Sequence, residues 1–398
     1  MTEPQSRSPV RRGVLLGVLG ALLVVGVAVP LLRTESDPSA APAPPPPPVE
    51  TERPPVETGQ PVETFTPSSW LGPIDFADER HGFALRGTCY DVRTPCPTEL
   101  MMTEDGEHWR AREVPARKAS GPRAAIDRLW VLGGQEVIIG ESYPTPDPQR
   151  WHSADAGQTW RPIPSVVTGG VPAVPTGGLL ELVCPRPYGL PYPCEAATPV
   201  VTLPGTGELA ELTNRPPLEL KDARQVPVTA DGNLWVSGLL PGTERWAVAA
   251  SADAGRTWSV TELADLDRMP VTSVEVSVGG DTVFAIARAE IDILRAISVS
   301  TDGGRSWRQT RQTWMNSDGR QPLSITGEPI ATTDGRLIIN ARLEEAFVST
   351  DQGASFQPTD APRLVRWTRA GYLAGPDPSS EVFRMSWNGV DWREFTIG

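Results

Sequence analysis

The sequence predicts an all-β fold made of repeated four-stranded units. A turn of the form Ser/Thr-x-Asp-x-Gly-x-Thr/Ser followed by an aromatic residue recurs, and its strong copies end at Trp160, Trp258, Trp307 and Phe356. Neighbouring copies lie 49 residues apart, or twice that, and such a period is typical of one supersecondary unit per repeat. The 398 residues include 43 Pro and 37 Gly, as expected where turns join many short strands.

An uncharged apolar run of 20 residues, residues 13–32, follows a basic amino terminus that contains Arg7, Arg11 and Arg12. A helix of this length spans a hydrocarbon core of about 30 Å, and basic residues keep the short end in the cytoplasm. We therefore predict a cytoplasmic segment, residues 1–12, and an uncleaved single-pass transmembrane helix, residues 13–32, with the rest of the chain outside. A cleaved signal peptide is the alternative, although its apolar core is usually shorter.

Residues 33–66 are predicted to form a proline-rich disordered linker. They contain five consecutive prolines, residues 44–48, and three copies of Pro-Val-Glu-Thr. Such a segment is extended and acts as a spacer. Recognition of the proline run by a partner's groove is the alternative.

Residues 67–398 hold the repeats. Each period reads as four short strands with the repeat turn between the third and the fourth, which is the pattern of a β-propeller blade. The gap between Trp160 and Trp258 is two periods, so a blade with a degraded turn is centred near Leu209. Shortened copies end at Trp109 and Trp392, and the total predicts seven blades. How the ring closes is left open, with residues 64–70 as the candidate for an added outer strand.

The residues of the repeat turn are expected to be structural. The Asp carboxylate can accept backbone N–H bonds, the Gly can adopt a positive φ, and the Ser or Thr hydroxyl can bond back to the turn. The aromatic ring is buried below the turn. We assign this role to Ser153, Asp155, Gly157, Trp160, Ser251, Asp253, Gly255, Trp258, Ser300, Asp302, Gly304, Trp307, Ser349, Asp351, Gly353 and Phe356.

This turn resembles the Asp-box, also called the bacterial neuraminidase repeat. That motif is found in sialidases, other glycosidase propellers, sortilin-type receptors and photosystem II assembly-factor propellers. The resemblance covers residues 67–398 and leaves the amino-terminal segments untouched. It implies a propeller and does not choose among the functions of these groups.

The four cysteines fall into two close pairs, Cys89 with Cys96 and Cys184 with Cys194. Neither pair has the Cys-x2-Cys spacing of a zinc site, and the three histidines of the chain are scattered. We predict two local disulfides, which form in an oxidising compartment. We expect neither a metal nor a cofactor.

The loop between Cys184 and Cys194 is the candidate binding loop. It presents Tyr188 and Tyr192 on a frame stiffened by proline, in the blade whose repeat turn has degraded. A simple stabilised hairpin is the alternative.

Charge and motifs exclude several classes of function. The formal net charge of −13 should repel nucleic acid and anionic lipid surfaces. The Phe/Tyr-Arg-Ile-Pro element of sialidases is absent. Three arginines precede Tyr372, namely Arg363, Arg366 and Arg369. Because a spacing of three residues does not put neighbouring side chains on the same face of a strand, we expect these arginines at a solvated blade edge. A Gly-x-Ser-x-Gly element is also absent, and sequence cannot show which carboxylates converge. We therefore assign no catalytic residue.

These observations favour a monomeric, membrane-anchored propeller outside the cell membrane that recognises a protein or a glycan without catalysis. A sialidase-like or other glycoside hydrolase is the second hypothesis. A membrane-complex assembly factor, similar to the photosystem II propellers, is the third.

Overall fold

The computed structural model describes residues 68–398 with short gaps, at residues 90–96, 116–125, 142–147, 185–193, 195, 226–231, 265, 267–269, 314–323, 342–344 and 377–380. All described residues belong to one compact unit, Glu63–Gly398. The predicted anchor, residues 13–32, and the predicted linker, residues 33–66, lie outside the described residues. Within the described part of the chain, no helix is long and apolar enough to cross a membrane.

The described residues form seven four-stranded sheets, as the sequence predicts. In six of them the strands follow one another along the chain and pair antiparallel. The first two are β1 (Ser68–Phe76), β2 (Gly82–Cys89), β3 (Thr98–Thr103) and β4 (Arg110–Glu113), then β5 (Ile126–Val131), β6 (Val137–Glu141), β7 (Arg150–Ser153) and β8 (Arg161–Ile163).

The third sheet has a different topology. It contains β9 (Val167–Val171), β10 (Leu179–Val183), β11 (Thr198–Thr202) and β12 (Leu209–Leu212). Its order is β10-β11-β12-β9, and β9 pairs parallel to β12 at the outside. The degraded turn joins β11 to β12, and Leu179 at the start of β10 pairs with Thr202 beside that turn. β10 therefore runs away from the turn end, opposite to the first strands of the other sheets.

The remaining four sheets repeat the regular pattern. The fourth and fifth are β13 (Glu219–Gln225), β14 (Leu234–Leu239), β15 (Trp246–Ser251) and β16 (Ser259–Glu262), then β17 (Ser273–Gly279), β18 (Thr282–Arg288), β19 (Leu294–Ser300) and β20 (Arg308–Gln312), with a 3-10 turn at Glu290–Asp292. The sixth and seventh are β21 (Ile325–Ala331), β22 (Leu337–Ala341), β23 (Glu345–Ser349) and β24 (Gln357–Thr359), then β25 (Val365–Thr368), β26 (Gly371–Ala374), β27 (Val382–Ser386) and β28 (Arg393–Thr396).

The middle strands are buried on both faces because neighbouring sheets cover them. Every residue of β15 and of β19 is buried, whereas the outer strand β4 is mostly exposed. Strands covered on both sides read as nearly continuous apolar runs. Full burial of one Val or Leu side chain stabilises the fold by about 1.5 to 3 kcal/mol, so the packing between the sheets is a large stabilising contribution.

An apolar cluster joins each pair of neighbouring sheets, including the last and the first. At the closing interface, the ring of Phe76 in β1 lies 5.4 Å from that of Phe395 in β28, edge to face. Among the described residues, each of these two sheets contains only strands from its own segment of the chain. The seven-bladed propeller therefore closes by side-chain packing. The candidate outer strand at residues 64–70 is contradicted at residues 68–70, which belong to β1, the first strand of its sheet. Residues 64–67 lie outside the described residues.

Candidate functional site

The four strong repeat turns share one hydrogen-bond pattern. In the fourth sheet, the Ser251 hydroxyl donates to Asp253 Oδ1 and the Gly255 N–H donates to Ser251 Oγ, each at 2.8 Å. The Thr257 hydroxyl donates to the other Asp253 oxygen at 2.6 Å. Equivalent bonds form at Ser153, Asp155 and Gly157, at Ser300, Asp302 and Gly304, and at Ser349, Asp351 and Gly353. The four glycines have φ between 81° and 88°, a region that glycine adopts at no steric cost.

These hydrogen bonds keep the turn carboxylates ionised. The hydroxyl and the N–H of Thr257, followed by the Ser251 hydroxyl, lower the pKa of Asp253 to about 2. The pKa values of Asp302 and Asp351 are lowered to about 2 in the same way. A carboxylate whose lone pairs bind its own turn is a poor base for a substrate. We therefore infer that the turn residues belong to the scaffold.

The aromatic residue of the repeat turn packs between its own sheet and the preceding one. Trp160 Nε1 donates to the carbonyl of Glu113 at 3.0 Å, and Trp258 Nε1 donates to the carbonyl of Asn214 at 2.8 Å. Glu113 ends β4 of the first sheet and Asn214 follows β12 of the third sheet, so each acceptor belongs to the blade before the one that carries the Trp. The turn thus fastens neighbouring sheets as well as two strands of its own sheet.

The disulfide between Cys184 and Cys194 is present. Cys96 and the side chain of Cys89 lie outside the described residues, as do Tyr188 and Tyr192 of the candidate binding loop. Of that loop the structure describes only the two cysteines at its ends.

The carboxyl end of this disulfide loop is attached to the fourth sheet. Cys194 N–H donates to the Asp222 carboxylate at 2.8 Å, and Asp222 N–H donates back to the Cys194 carbonyl at 2.9 Å. Asp222 lies on β13, two residues before Arg224. The disulfide loop is therefore fixed to a strand that also lines the pocket described next.

A pocket of about 320 Å³ lies where β13, β17, β21 and β25, the first strands of four consecutive sheets, meet. Ser273, on its lining, pairs with Arg288 at the end of the fifth sheet that is remote from the repeat turn after Ser300. The pocket thus extends toward the face opposite the repeat turns. Its lining consists of Arg224, Ser273, Glu275, Val276, Arg288, Gly327, Glu328 and Trp367.

One ion pair holds the wall that the fifth sheet contributes. The Arg288 guanidinium donates to the Glu275 carboxylate and, at 3.1 Å, to the carbonyl of Gly327. Its other terminal nitrogen lies 3.6 Å from Asp292. Burial raises the pKa of Glu275, while the charges of Arg288 and Arg224 oppose that shift.

Glu328 is the carboxyl group of the pocket with the most perturbed pKa. Burial, with the negative charge of Glu275 as the next contribution, raises its pKa to about 7. The carboxylate accepts the backbone N–H of Trp367, which opposes the shift. Two carboxyl groups therefore share one pocket in different electrostatic environments, which is typical of functional sites.

A second charged cluster lies where the seventh sheet meets the first. The Arg369 N–H donates to Asp75 Oδ1 at 3.0 Å, and the Arg366 guanidinium donates to the carbonyl of Ile74 at 3.2 Å. Both arginine side chains are partly buried. The expectation of a solvated blade edge is therefore wrong for Arg366 and Arg369, because their strand and turn face the first sheet. Arg363 is exposed.

The Arg369 side chain also reaches toward the second and third sheets. Its guanidinium donates to the carbonyl of Gly177 at 3.0 Å and toward the carbonyl of Val131 at 3.4 Å. Val131 ends β5, and Gly177 precedes β10. One side chain thus links three sheets at the ends of their inner strands.

Tyr372 is not arranged as a nucleophile. Its side chain is 2% exposed, and its hydroxyl donates to the carbonyl of Ala331 at 2.8 Å. Burial raises its pKa well above the usual range. A phenol that is buried and already donates its proton to the backbone cannot attack a substrate in the neighbouring pocket.

Sequence reasoning did not identify the pocket residues. The available signal was a carboxylate within an otherwise apolar first strand, as in Val274-Glu275-Val276 and again at Glu328 one blade later. First strands surround the centre of a propeller, so a charge on such a strand is a candidate for the central site. The repeat turns, by contrast, carry no signal for this pocket, because they lie at the opposite end of the sheets.

No family model matches this chain, and no curated protein matches it. Solved structures similar to it include "YCF48 bound to D1 peptide", with 14% identity and a TM-score of 0.31 over 84% of this chain and 86% of that one. The "Hadza microbial sialidase Hz136" is 13% identical with a TM-score of 0.34, over 82% of this chain and 65% of that one. At these identities and TM-scores, the likeness carries no conclusion about function.

Proposed function

We propose that this chain is a membrane-anchored, extracytoplasmic propeller that binds a ligand in the pocket lined by Glu275 and Glu328, without catalysis. The observation that carries the proposal is the pocket itself, to which three neighbouring sheets contribute charged side chains and a fourth contributes Trp367. Glu275 is fixed by Arg288, and Glu328 by the backbone of Trp367. Convergent polar groups beside an aromatic ring are typical of binding sites.

The described part of the pocket offers no activated hydroxyl nucleophile. Ser273 supplies a hydroxyl, but no histidine lines the described pocket to accept its proton, and the Tyr372 hydroxyl is buried. These features favour binding over acyl transfer.

The location of the propeller on the extracytoplasmic side of the cell membrane is part of the proposal. It is supported by the apolar run at residues 13–32 with basic residues before it, and by the Cys184–Cys194 disulfide, which is stable in an oxidising compartment. Protease treatment of intact cells should remove the propeller and leave an amino-terminal fragment in the membrane fraction. Recovery of an intact protein inside protease-treated cells would contradict this location.

The binding site can be tested with full-length protein purified in detergent. Cell-envelope oligosaccharides and short peptides are titrated by calorimetry against the wild type, Arg224→Ala and Glu328→Gln. Loss of a charged hydrogen bond should weaken binding at least tenfold. The control is Arg245→Ala, which removes an exposed ion pair with Glu262 on the outer strand β16 and should bind normally. Equal binding by all four proteins would place the ligand elsewhere.

Glycoside hydrolysis is a second candidate, favoured by the different environments of the two carboxyl groups. Glu328, with a pKa of about 7, would be protonated often enough near neutral pH to act as the general acid, and Glu275 beside Arg288 would act as the base or nucleophile. The test is turnover of a panel of fluorogenic glycosides. Wild-type turnover that Glu328→Gln abolishes would support it, and absence of turnover with every glycoside would eliminate it in favour of binding alone.

A further inference from the structure

Two groups in the pocket retain unused binding capacity. Among the described residues, the Arg224 guanidinium has no hydrogen-bond or ion-pair partner, and the residue is exposed. The Glu328 carboxyl group accepts one hydrogen bond from described residues, that of Trp367 N–H, although a carboxylate has about four acceptor sites. One cation and one carboxyl group are thus available to a ligand.

The other two charged side chains of the pocket are already engaged. Arg288 binds Glu275 and the Gly327 carbonyl, and it also faces Asp292. A ligand that displaced this pair would leave a buried charge without a partner, which is costly. The Glu275–Arg288 pair therefore forms a fixed wall.

Trp367 supplies the apolar part of the pocket. Its ring centroid lies 4.3 Å from that of Tyr372, which fixes its orientation, and the side chain is partly exposed. A small aliphatic or aromatic group can pack against the remaining indole surface. The pocket thus combines a cation, a carboxyl group and an apolar surface within about 320 Å³.

We propose that the ligand is a small zwitterion, a free amino acid or a dipeptide, whose carboxylate binds Arg224 and whose ammonium group binds Glu328. This inference rests on the proposed function, since it names the ligand of the same pocket. The side chain of the bound amino acid or dipeptide packs on Trp367. A neutral sugar would offer the Arg224 guanidinium no anionic partner, and a simple anion would leave the Glu328 acceptors unused.

Glu328 gives the binding a pH dependence. The groups that influence it are Glu275, which raises its pKa, and Arg288 and Arg366, which lower it. A bound ammonium group favours the ionised carboxylate, so binding should release a proton and strengthen as the pH rises from about 6 to about 8. Calorimetry in two buffers of different ionisation enthalpy measures this proton release.

The test uses full-length protein and four probes: alanyl-alanine, its N-acetyl derivative, its C-terminal amide and a cell-envelope oligosaccharide. We expect the dipeptide to bind the wild type at least tenfold more tightly than either blocked form, which lacks one charged contact. Arg224→Ala should bind the dipeptide and the amide equally. Glu328→Gln should bind the dipeptide and the N-acetyl form equally. Arg245→Ala should behave as the wild type, and thermal unfolding verifies that each variant is folded.

The outcomes separate the two proposals. If blocked and unblocked dipeptides bind equally well, the zwitterion inference is wrong. If the oligosaccharide binds, loses affinity in Arg224→Ala and is the sole probe that binds, the pocket is a binding site but its ligand is not a zwitterion. If no probe binds the wild type, the zwitterion inference is wrong. If, in addition, envelope extracts contain no ligand that binds the wild type and does not bind the pocket variants, the proposed binding function is wrong as well.

Discussion

The backbone N–H of Arg369 donates a hydrogen bond of 3.0 Å to the carboxylate of Asp75 and so joins the seventh sheet to the first. The Phe76 N–H binds the same oxygen at 2.8 Å. Burial outweighs both bonds and the charges of Arg366 and Arg369, and it raises the pKa of Asp75 to about 6. The closing interface of the ring therefore contains a carboxyl group that resists ionisation.

Asp75 should make the ring less stable as the pH rises from about 4 to about 6. In this window the folded protein holds the Asp75 proton more tightly than the unfolded chain, so raising the pH favours unfolding. The contribution is at most about 3 kcal/mol, from 1.36 kcal/mol for each pKa unit. Asp75→Asn keeps an acceptor for both N–H groups but cannot ionise, and its midpoint of thermal unfolding, relative to the wild type, should rise between pH 4 and pH 7.

Asp75→Ala is the matched control for this measurement. It removes the acceptor as well as the charge, so it should be less stable than Asp75→Asn at both pH values. Parallel pH profiles for Asp75→Asn and the wild type would show that Asp75 does not titrate in this window.

Two adjacent glycines in the fifth-sheet repeat turn provide a test of the packing between sheets. Gly303 and Gly304 have φ of 74° and 82°. A Cβ on Gly303 would meet nothing within 4 Å, whereas one on Gly304 would lie 2.6 Å from the Trp235 ring of the preceding sheet. Ala254 occupies the Gly303 position in the fourth sheet.

Gly303→Ala should therefore cost about 1 kcal/mol of unfolding free energy, the usual penalty for a left-handed non-glycine residue. Gly304→Ala should cost about 1 to 3 kcal/mol more because the methyl group overpacks the interface. Urea unfolding followed by tryptophan fluorescence gives both values. Equal losses would mean that the Trp235 contact relaxes without cost.

How much the sequence predicts depends on whether a residue acts within its own repeat. Asp302 and Gly304 form contacts within one turn or with the adjacent sheet. The regular recurrence of such turns along the chain therefore predicts the seven-bladed ring. Glu275 and Glu328 meet only because first strands of successive blades converge, and no local spacing encodes that meeting. The departure of β9 and β10 from the regular order has the same origin, since pairing of β9 with β12 is a long-range contact.

The two pocket carboxyl groups should be coupled. Because the negative charge of Glu275 contributes to the raised pKa of Glu328, Glu275→Gln should lower the pKa of Glu328 below about 7. Titration of ¹³C-labelled glutamate carboxyl groups by NMR, with Glu328→Gln to assign the signal, measures this change. Glu262→Gln, on the exposed outer strand β16, is the control and should leave that signal unchanged. A pKa of Glu328 that stays at the wild-type value would show that burial alone sets it.

The Cys184–Cys194 disulfide should stabilise the propeller by roughly 2.5 to 3 kcal/mol, on the chain-entropy estimate for a loop of this length. The sequence separation is 10 residues, and the Cys194–Asp222 hydrogen bonds attach the loop to β13 whether or not the sulfurs are joined. Replacing both cysteines by alanine should lower the unfolding free energy by that amount while the ring stays assembled. Urea unfolding of the double variant and of the wild type, each with and without reductant, measures the difference. Reductant should destabilise the wild type further than the variant, and an equal response of the two proteins would show that this bond does not contribute.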